Sequence, residues 1–125
     1  MSERGQHEVL SRTFAGKMPT VIAKYTLGQI LRHRVHPFRG VVFDIDPVYA
    51  NGDEWYESIA TNRPRKDQPW YHLLAESADK TYYTAYVSEQ NLLPDETATP
   101  VLHPDIAEHF GEFGGGAYPS RRAMN

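Results

Sequence analysis

Two carboxylates in the sequence have a spacing that could support metal chemistry. Asp44 and Asp46 lie two residues apart in the segment GVVFDID, and side chains two apart on a β-strand point to the same face. Their oxygens could share a divalent cation, since carboxylates are the usual ligands of such ions. The same alternation is typical of a strand with a polar outer face, and no third ligand follows at a fixed spacing. We therefore predict no metal site.

Histidine and serine offer little more for catalysis. His33, His36 and His72 could gather with an aspartate around a metal, because histidine is a common ligand. No H-x-x-x-H or H-E-x-x-H element holds them on a helix, and no serine lies in a G-x-S-x-G elbow. No glycine-rich phosphate loop precedes a helix. The sequence thus predicts no catalytic residues, no cofactor and no enzyme.

Composition narrows the class of protein. The chain has 125 residues, no cysteine, a hydrophobic fraction of 40% and a formal net charge of −3. One domain of ordinary globular composition fits this length, and the absence of cysteine excludes disulfide scaffolds and thiolate metal sites. No apolar run is long enough for a membrane span, and net acidity argues against coating nucleic acid by bulk charge. We expect a soluble cytoplasmic domain.

The charges are distributed unevenly along the chain. Residues 9–43 contain no acidic residue but several lysines and arginines, whereas acidic residues dominate from Asp44 onward. Such segments can simply be solvated faces and loops. Alternatively, the basic segment forms a surface that meets a polyanion or an acidic partner.

Apolar alternation and turn residues predict a small antiparallel sheet. A strand over residues 28–35, the turn HPFRG and a strand over 41–46 form a hairpin. In the second strand, Val41, Phe43 and Ile45 should share one face. A short helix capped by Asp53 and a long polar loop follow. Further strands are predicted at residues 70–75, 81–87 and 91–93, which together favour a strongly bent sheet or barrel.

Both ends of the chain are expected to lie outside this domain. Residues 1–23 show no sustained period and should form a flexible N-terminal extension, followed by the β-domain at 24–94. Residues 95–125 are predicted to form an acidic, glycine-rich C-terminal tail with one helical turn near 105–110.

The central part of the chain is dense in aromatic residues. Trp70 and Tyr71 are adjacent, as are Tyr82 and Tyr83, and neighbours on a strand point to opposite faces. One member of each pair must therefore lie off the main core. Two interpretations stay open: a second core beneath the long loop, or a surface that contacts protein or stacks on nucleobases.

Four blocks in this order resemble one known family. They are LGQ with RH at residues 27–33, GVVFDIDPVY at 40–49, PWYH at 69–72 and YVSE at 86–89. The chain is similar in them to the YccV-like, hemimethylated-DNA-binding domain family, which includes the bacterial heat-shock proteins of the HspQ type. DIDPVY and PWYH are the most specific blocks.

The resemblance implies an SH3-like antiparallel β-barrel, no enzymatic activity and a cytoplasmic stress role. It implies modulation of ATP-dependent proteolysis by the Lon protease, binding of hemimethylated DNA, and self-association as a homo-oligomer, with a trimer the expected state. We favour the proteolysis modulator accompanied by DNA binding, since net acidity disfavours tight, indiscriminate DNA binding. The alternatives are a DNA-binding module without a proteolysis role and a protein-only adaptor.

Each activity has its own candidate residues. Cations would contact phosphates and make DNA binding sensitive to salt, whereas aromatic side chains would contact protein partners. The candidate DNA contacts are Lys24, Arg32, Arg34, Arg39, Arg63, Arg65 and Lys66. The candidate protein contacts are Trp55, Tyr56, Trp70 and Tyr82.

Overall fold

The computed structural model describes residues 7–10, 20–59 and 64–121. Its elements, in chain order, are β1 (His7–Leu10), β2 (Thr20–Ala23), β3 (Ile30–His33), β4 (Phe38–Asp46), α1 (Asp53–Ile59), β5 (Trp70–Ser77), β6 (Tyr82–Ser88), a 3-10 turn (Glu89–Asn91), β7 (Leu92–Pro94) and α2 (Ile106–His109). Within these ranges, no helix is long and apolar enough to cross a membrane.

Five of the strands form one antiparallel sheet in the order β6-β5-β4-β3-β7. The predicted mostly β architecture with short helices is therefore confirmed. Over the described ranges β6 does not pair with β7, so the sheet is open there, and closure into a barrel stays a prediction. β1 and β2 form a separate antiparallel pair within the segment expected to be a flexible extension; the rest of residues 1–19 lies outside the described residues.

A β-bulge in β4 corrects the predicted alternation. The register between β4 and β5 shifts between Val42 and Asp44, because one extra residue on a bulged strand reverses the faces beyond it. Val41 and Phe43 pack on one face, as expected. Ile45 instead packs with Val42 on the opposite face. The prediction that Ile45 shares a face with Phe43 was wrong.

The sheet buries apolar side chains on both faces. The first core consists of Ala23, Tyr25, Leu31, Val42, Tyr71, Leu73, Val87 and Leu92. The second core, on the opposite face, consists of Ile30, Val41, Leu74, Val101, Phe110 and Tyr118. Residues 101–118 thus cover a sheet face that would otherwise expose its apolar side chains to water.

The segment predicted to be an acidic, glycine-rich C-terminal tail packs on the sheet over part of its length. Val101, Phe110 and Tyr118 are all buried. The Tyr118 hydroxyl donates to the carbonyl of Val101 at 2.9 Å, and the Tyr118 amide donates to the carbonyl of Gly28 at 3.0 Å. Apolar residues scattered among acidic and glycine residues thus reach a common core with the sheet.

Candidate functional site

An aromatic cluster lies beneath the loop that joins β4 to β5. The Tyr49 ring centroid is 4.9 Å from that of Trp70 and 6.0 Å from that of Trp55, and Trp70 lies 5.2 Å from Tyr86. The cluster also holds the loop in place, since the Trp70 indole donates to the carbonyl of Arg65 at 3.0 Å. These aromatic side chains therefore form a small core of their own under the loop.

The predicted protein-contact residues differ in exposure. Tyr56 and Trp70 are only 5% and 2% exposed, and the Tyr56 hydroxyl donates to the carbonyl of Pro64 at 2.6 Å. Trp55 and Tyr82 are partly exposed, and the Tyr82 ring lies 5.9 Å from that of His103. The structure thus brings Trp55, Tyr56 and Trp70 together, with Trp55 the more accessible of the three, and places Tyr82 apart from them.

Asp44, Asp46 and His72 form a polar group on the sheet. One ligand atom from each lies within 4.8 Å of the others. His72 Nε2 is 3.0 Å from Asp46 Oδ2, which also accepts a 2.7 Å hydrogen bond from the Tyr86 hydroxyl. Asp44 Oδ1 accepts from the Ile45 amide at 2.9 Å. The spacing could admit a cation, but protein donors already occupy these carboxylates, so the group serves as a hydrogen-bond network.

The backbone amides of three basic residues donate hydrogen bonds to the 3-10 turn Glu89–Asn91. The Lys24 amide donates to Glu89 Oε2 at 2.9 Å, the Arg34 amide donates to the carbonyl of Asn91 at 2.9 Å, and the Arg65 amide donates to Gln90 Oε1 at 3.2 Å. All three side chains are exposed. We name Lys24, Arg34 and Arg65 the basic turn surface.

The other DNA-contact candidates lie in different surroundings. Arg32 is exposed and pairs with Leu93 and Arg39 in the sheet. Its side chain faces away from that of His33, since neighbouring strand residues alternate. Lys66 pairs with Asp53 at 3.1 Å and lies over the aromatic cluster. Arg63 lies outside the described residues.

Arg39 is committed to a network within the fold. Its guanidinium forms ion pairs of 3.1 Å with both Glu76 and Asp95, whose side chains are 3% and 5% exposed. It also donates to the carbonyls of Thr99 and Pro100 at 2.8 and 2.7 Å. Arg39 therefore fastens the start of the C-terminal segment to the sheet, and we do not include it in the basic turn surface.

The acid at the centre of the basic turn surface has its own partners. Glu89 Oε2 accepts a 2.6 Å hydrogen bond from the Tyr71 hydroxyl. Burial and the Glu89 carboxylate together raise the pKa of Tyr71 far above its usual value, so this phenol stays protonated and donates. The Glu89 charge is thus partly satisfied by the fold, which lowers its repulsion toward an approaching anion.

A cavity of about 320 Å³ lies along β6, beside the same turn. The residues that line it are His33, His36, Phe38, Trp55, Pro64, Trp70, Tyr83, Thr84, Ala85, Tyr86, Val87, Ser88 and Asn91. None of them is an acidic residue, a lysine or an arginine. Ser88 is 1% exposed, and its hydroxyl is the one buried side-chain polar atom in the described ranges that has no hydrogen-bond partner. No sequence pattern predicted this cavity, since its walls are far apart along the chain.

His33 lines the cavity as a neutral imidazole. Its Nδ1 accepts hydrogen bonds from the amides of Val35 at 2.9 Å and His36 at 3.0 Å, which requires that nitrogen to be unprotonated. Burial, and secondarily the charge of His36, lowers the pKa of His33 to about 4. The proton of the neutral ring is therefore on Nε2.

Protonation of His33 should weaken the fold in mild acid. Because its folded pKa lies below its unfolded value, the stabilisation is complete above pH ~6.5 and is lost as the pH falls toward 4. In urea unfolding at pH 7 and pH 5, we expect His33→Asn to reduce the acid-induced loss of stability by about 1 kcal/mol or more. Asparagine keeps an acceptor oxygen but does not titrate. If the variant and the wild type lose the same free energy of unfolding between pH 7 and pH 5, His33 does not cause the loss.

Comparison with known proteins assigns the chain to a family. No solved structure matches it. A family model described as "Hemimethylated DNA-binding protein YccV like" matches residues 23–117, which is well over half of the chain and includes the basic turn surface, the aromatic cluster and the buried part of the C-terminal segment up to that limit. The resemblance of the four sequence blocks is thereby confirmed, and the chain belongs to the YccV-like family.

Proposed function

We propose that this protein is an SH3-like domain that binds DNA through the basic turn surface and, as its family description suggests, prefers hemimethylated duplexes. The observation that carries the proposal is the grouping of Lys24, Arg34 and Arg65 around one turn. Their side chains are all exposed, and exposed lysine and arginine side chains can neutralise phosphates.

The surrounding charges favour selective over indiscriminate binding. The chain carries a net charge of −3, and Arg65 is already paired with Asp67 at 2.9 Å. Few cations are therefore available for phosphate, so the electrostatic affinity should be modest and sensitive to salt. Discrimination of a methyl group would have to come from contacts to base edges.

Charge reversal at this surface should weaken duplex binding. For the double variant Lys24→Glu/Arg34→Glu, we expect at least a tenfold loss of affinity and a decrease of about 2 in the log–log salt slope, because two phosphate contacts are lost. The measurement is fluorescence anisotropy with hemimethylated, fully methylated and unmethylated duplexes of one sequence at two salt concentrations.

Arg32→Glu is the control, since it reverses the charge of an exposed residue that pairs with Arg39 and Leu93 in the sheet. We expect it to change affinity by less than the double variant and to leave the methylation preference unchanged. If the double variant binds as wild type does while Arg32→Glu loses affinity, DNA contacts the surface around Arg32 and the basic turn surface is the wrong site.

We propose modulation of ATP-dependent proteolysis, in a cytoplasmic stress response, as a second function. The aromatic-walled cavity along β6, whose lining contains no acidic residue, lysine or arginine, supports it, since such surfaces suit contacts with protein chains. Purified Lon should degrade an unfolded model substrate faster as this protein is added. An unchanged rate across a concentration series of folded protein would reject this function. A trimeric state, also proposed, is checked by light scattering.

A further inference from the structure

One long edge of the sheet is available for pairing. β6 bonds only to β5 in the described part of the sheet. Near its ends, the Glu89 amide donates to the carbonyl of Pro69 at 3.0 Å, and the Ser77 amide donates to the carbonyl of Thr81 at 2.9 Å. In an antiparallel pair, bonded and non-bonded positions alternate. These two bonds therefore fix the bonded positions of β6. Every second residue between Thr81 and Glu89 directs its backbone amide and carbonyl toward β5.

The register then identifies the outward-facing backbone groups. Tyr83, Ala85 and Val87 continue the bonded series. The amides and carbonyls that point away from β5 are those of Tyr82, Thr84, Tyr86 and Ser88. No hydrogen bond to these backbone groups is formed by the described residues. They present a regular row of donors and acceptors, which an added strand requires.

The sequence of β6 does not protect this edge. Edge strands are usually blunted by charged residues, proline or bulges. β6 reads YYTAYVS over seven residues, with no charge, no proline and no glycine. Its pairing with β5 is continuous from one end to the other. The edge is therefore suited to accept a further strand.

The cavity along β6 provides side-chain sites on both sides of this edge. Phe38 and Tyr83, whose rings lie 5.7 Å apart, form a wall on the face of the first core. Trp55 and Trp70 form a wall on the opposite face. Alternate side chains of an extended chain point to opposite faces. One set would therefore contact the wall of Phe38 and Tyr83, and the other set the wall of Trp55 and Trp70. The partnerless hydroxyl of Ser88 lines the same cavity.

We propose that β6 binds an extended polypeptide segment by strand addition, with uncharged apolar or aromatic side chains of that segment against the two walls. The lining contains no acidic residue, lysine or arginine; of its two histidines, His36 is exposed and His33 is neutral because burial lowers its pKa to about 4. Charged side chains would lose their hydration there without gaining an ion pair. The chemistry of the groove thus selects an uncharged, strand-forming peptide.

A second copy of this chain fits the groove less well than a single peptide. Pairing β6 with β6 of another copy would bring that copy's Trp55 and Phe38 walls into the same space. A lone extended chain carries no such walls. Peptide binding at β6 is independent of DNA binding. It rests on the proposed proteolysis function, because it names the surface that would hold a protein chain.

The test is direct binding of a labelled peptide to the full chain. The probe is a fluorescein-labelled peptide in which valine and tyrosine alternate, with a lysine at each end for solubility. We expect a dissociation constant of ~100 μM or below and a shift in tryptophan emission, because Trp55 and Trp70 line the groove. N-methylation of two successive central residues should weaken binding about tenfold or more, since it removes donors in either register.

Thr84→Pro tests the edge from the side of the protein. Proline is tolerated where an edge amide faces outward, so the fold should persist while the groove loses a donor and peptide affinity falls about tenfold. Thr84→Val is the matched control and should bind within about twofold of wild type. Circular dichroism checks folding. If Thr84→Pro does not fold, Thr84→Lys blocks the edge by charge instead and should cause a similar loss.

Three results would overturn the proposal. They are no peptide binding to wild type, equal binding of the N-methylated peptide, and unaltered affinity in folded Thr84→Pro or Thr84→Lys. Light scattering that shows a dimer dissociated by these variants, without peptide binding, would assign the edge to a second copy. Lys24→Glu/Arg34→Glu should still bind peptide. Peptide binding without stimulation of Lon would reject the proteolysis function alone, and stimulation of Lon without peptide binding would reject this inference alone.

Discussion

Substituting alanine for Gly28 should produce one of the largest losses of stability available by a single change in this protein. Gly28 has φ +86°, and a Cβ built there would lie 1.8 Å from the carbonyl oxygen of Tyr118. The backbones also bond, since the Tyr118 amide donates to the carbonyl of Gly28 at 3.0 Å. The left-handed conformation costs about 1–2 kcal/mol for alanine. The clash adds the free energy needed to displace the C-terminal segment. We expect a total loss of about 3 kcal/mol or more.

Urea unfolding measures this loss, and limited proteolysis locates it. If Gly28→Ala detaches the segment that carries Tyr118, trypsin should cleave after Arg121, the first lysine or arginine beyond Lys80, faster than in wild type. Gly52→Ala is the control, because no atom lies within 4 Å of a Cβ built there, and its effect should stay near 0.5 kcal/mol. Equal stabilities of the two variants would show that residues 101–121 do not depend on this close approach.

Arg39→Met should destabilise the fold by about 3–5 kcal/mol, since it leaves two buried carboxylates without their cation. Arg39 joins Glu76 and Asp95 at 3.1 Å each, and methionine keeps the aliphatic stem. Lys80, 3.6 Å from Glu76, offsets only part of the loss because its side chain is 64% exposed. Thermal and urea unfolding measure the effect.

A second substitution separates charge from packing at this network. Adding Glu76→Gln to Arg39→Met removes one buried charge and should recover about 1 kcal/mol or more. Lys80→Ala alone should cost less than about 1 kcal/mol. A double variant no more stable than Arg39→Met would show that the loss arises from packing and not from uncompensated charge.

The ion pair between Arg39 and Glu76 also leads us to expect a loss of stability in acid. Desolvation opposes ionisation of Glu76, but the Leu102 amide and the Arg39 guanidinium outweigh it and lower the pKa of Glu76. A carboxyl with a lowered folded pKa stabilises the fold above its unfolded pKa, near 4.3, and loses that contribution as the pH falls below it. This window lies below the one expected for His33, so the two contributions can be separated in one pH series.

The sequence was informative wherever one pattern governs one element. Alternation and turn residues located β3 to β7, and a short helix was correctly expected where α1 lies, although Asp53, expected to cap it, is its first residue. The prediction failed in β4 after Phe43, because a bulge adds one residue to the strand and no residue type announces it. It also failed for residues 101–120, where Val101, Phe110 and Tyr118 are too widely spaced to show a period.

The candidate site illustrates the same division. Residue types and blocks such as DIDPVY and PWYH were enough to predict the family, which the match over residues 23–117 confirms. Arg39 and Arg34 look alike in the sequence. The structure places Arg39 between two buried carboxylates and Arg34 on an exposed turn. The surroundings of each arginine depend on which distant residues lie near it in the fold. The neighbouring sequence does not predict those residues.

The sequence by itself determined the strands, the short helix after β4, the absence of thiol chemistry and the family. These follow from local properties: side-chain period, the backbone limits of proline and glycine, and residue type. Only the tertiary structure decided that the C-terminal segment covers a face of the sheet, that the backbones of three basic residues bond to one turn, and that β6 pairs on one side only, within the described ranges, beside an aromatic-walled cavity. Each of these depends on contacts between segments far apart in the chain, whose geometry is fixed only when the two cores assemble.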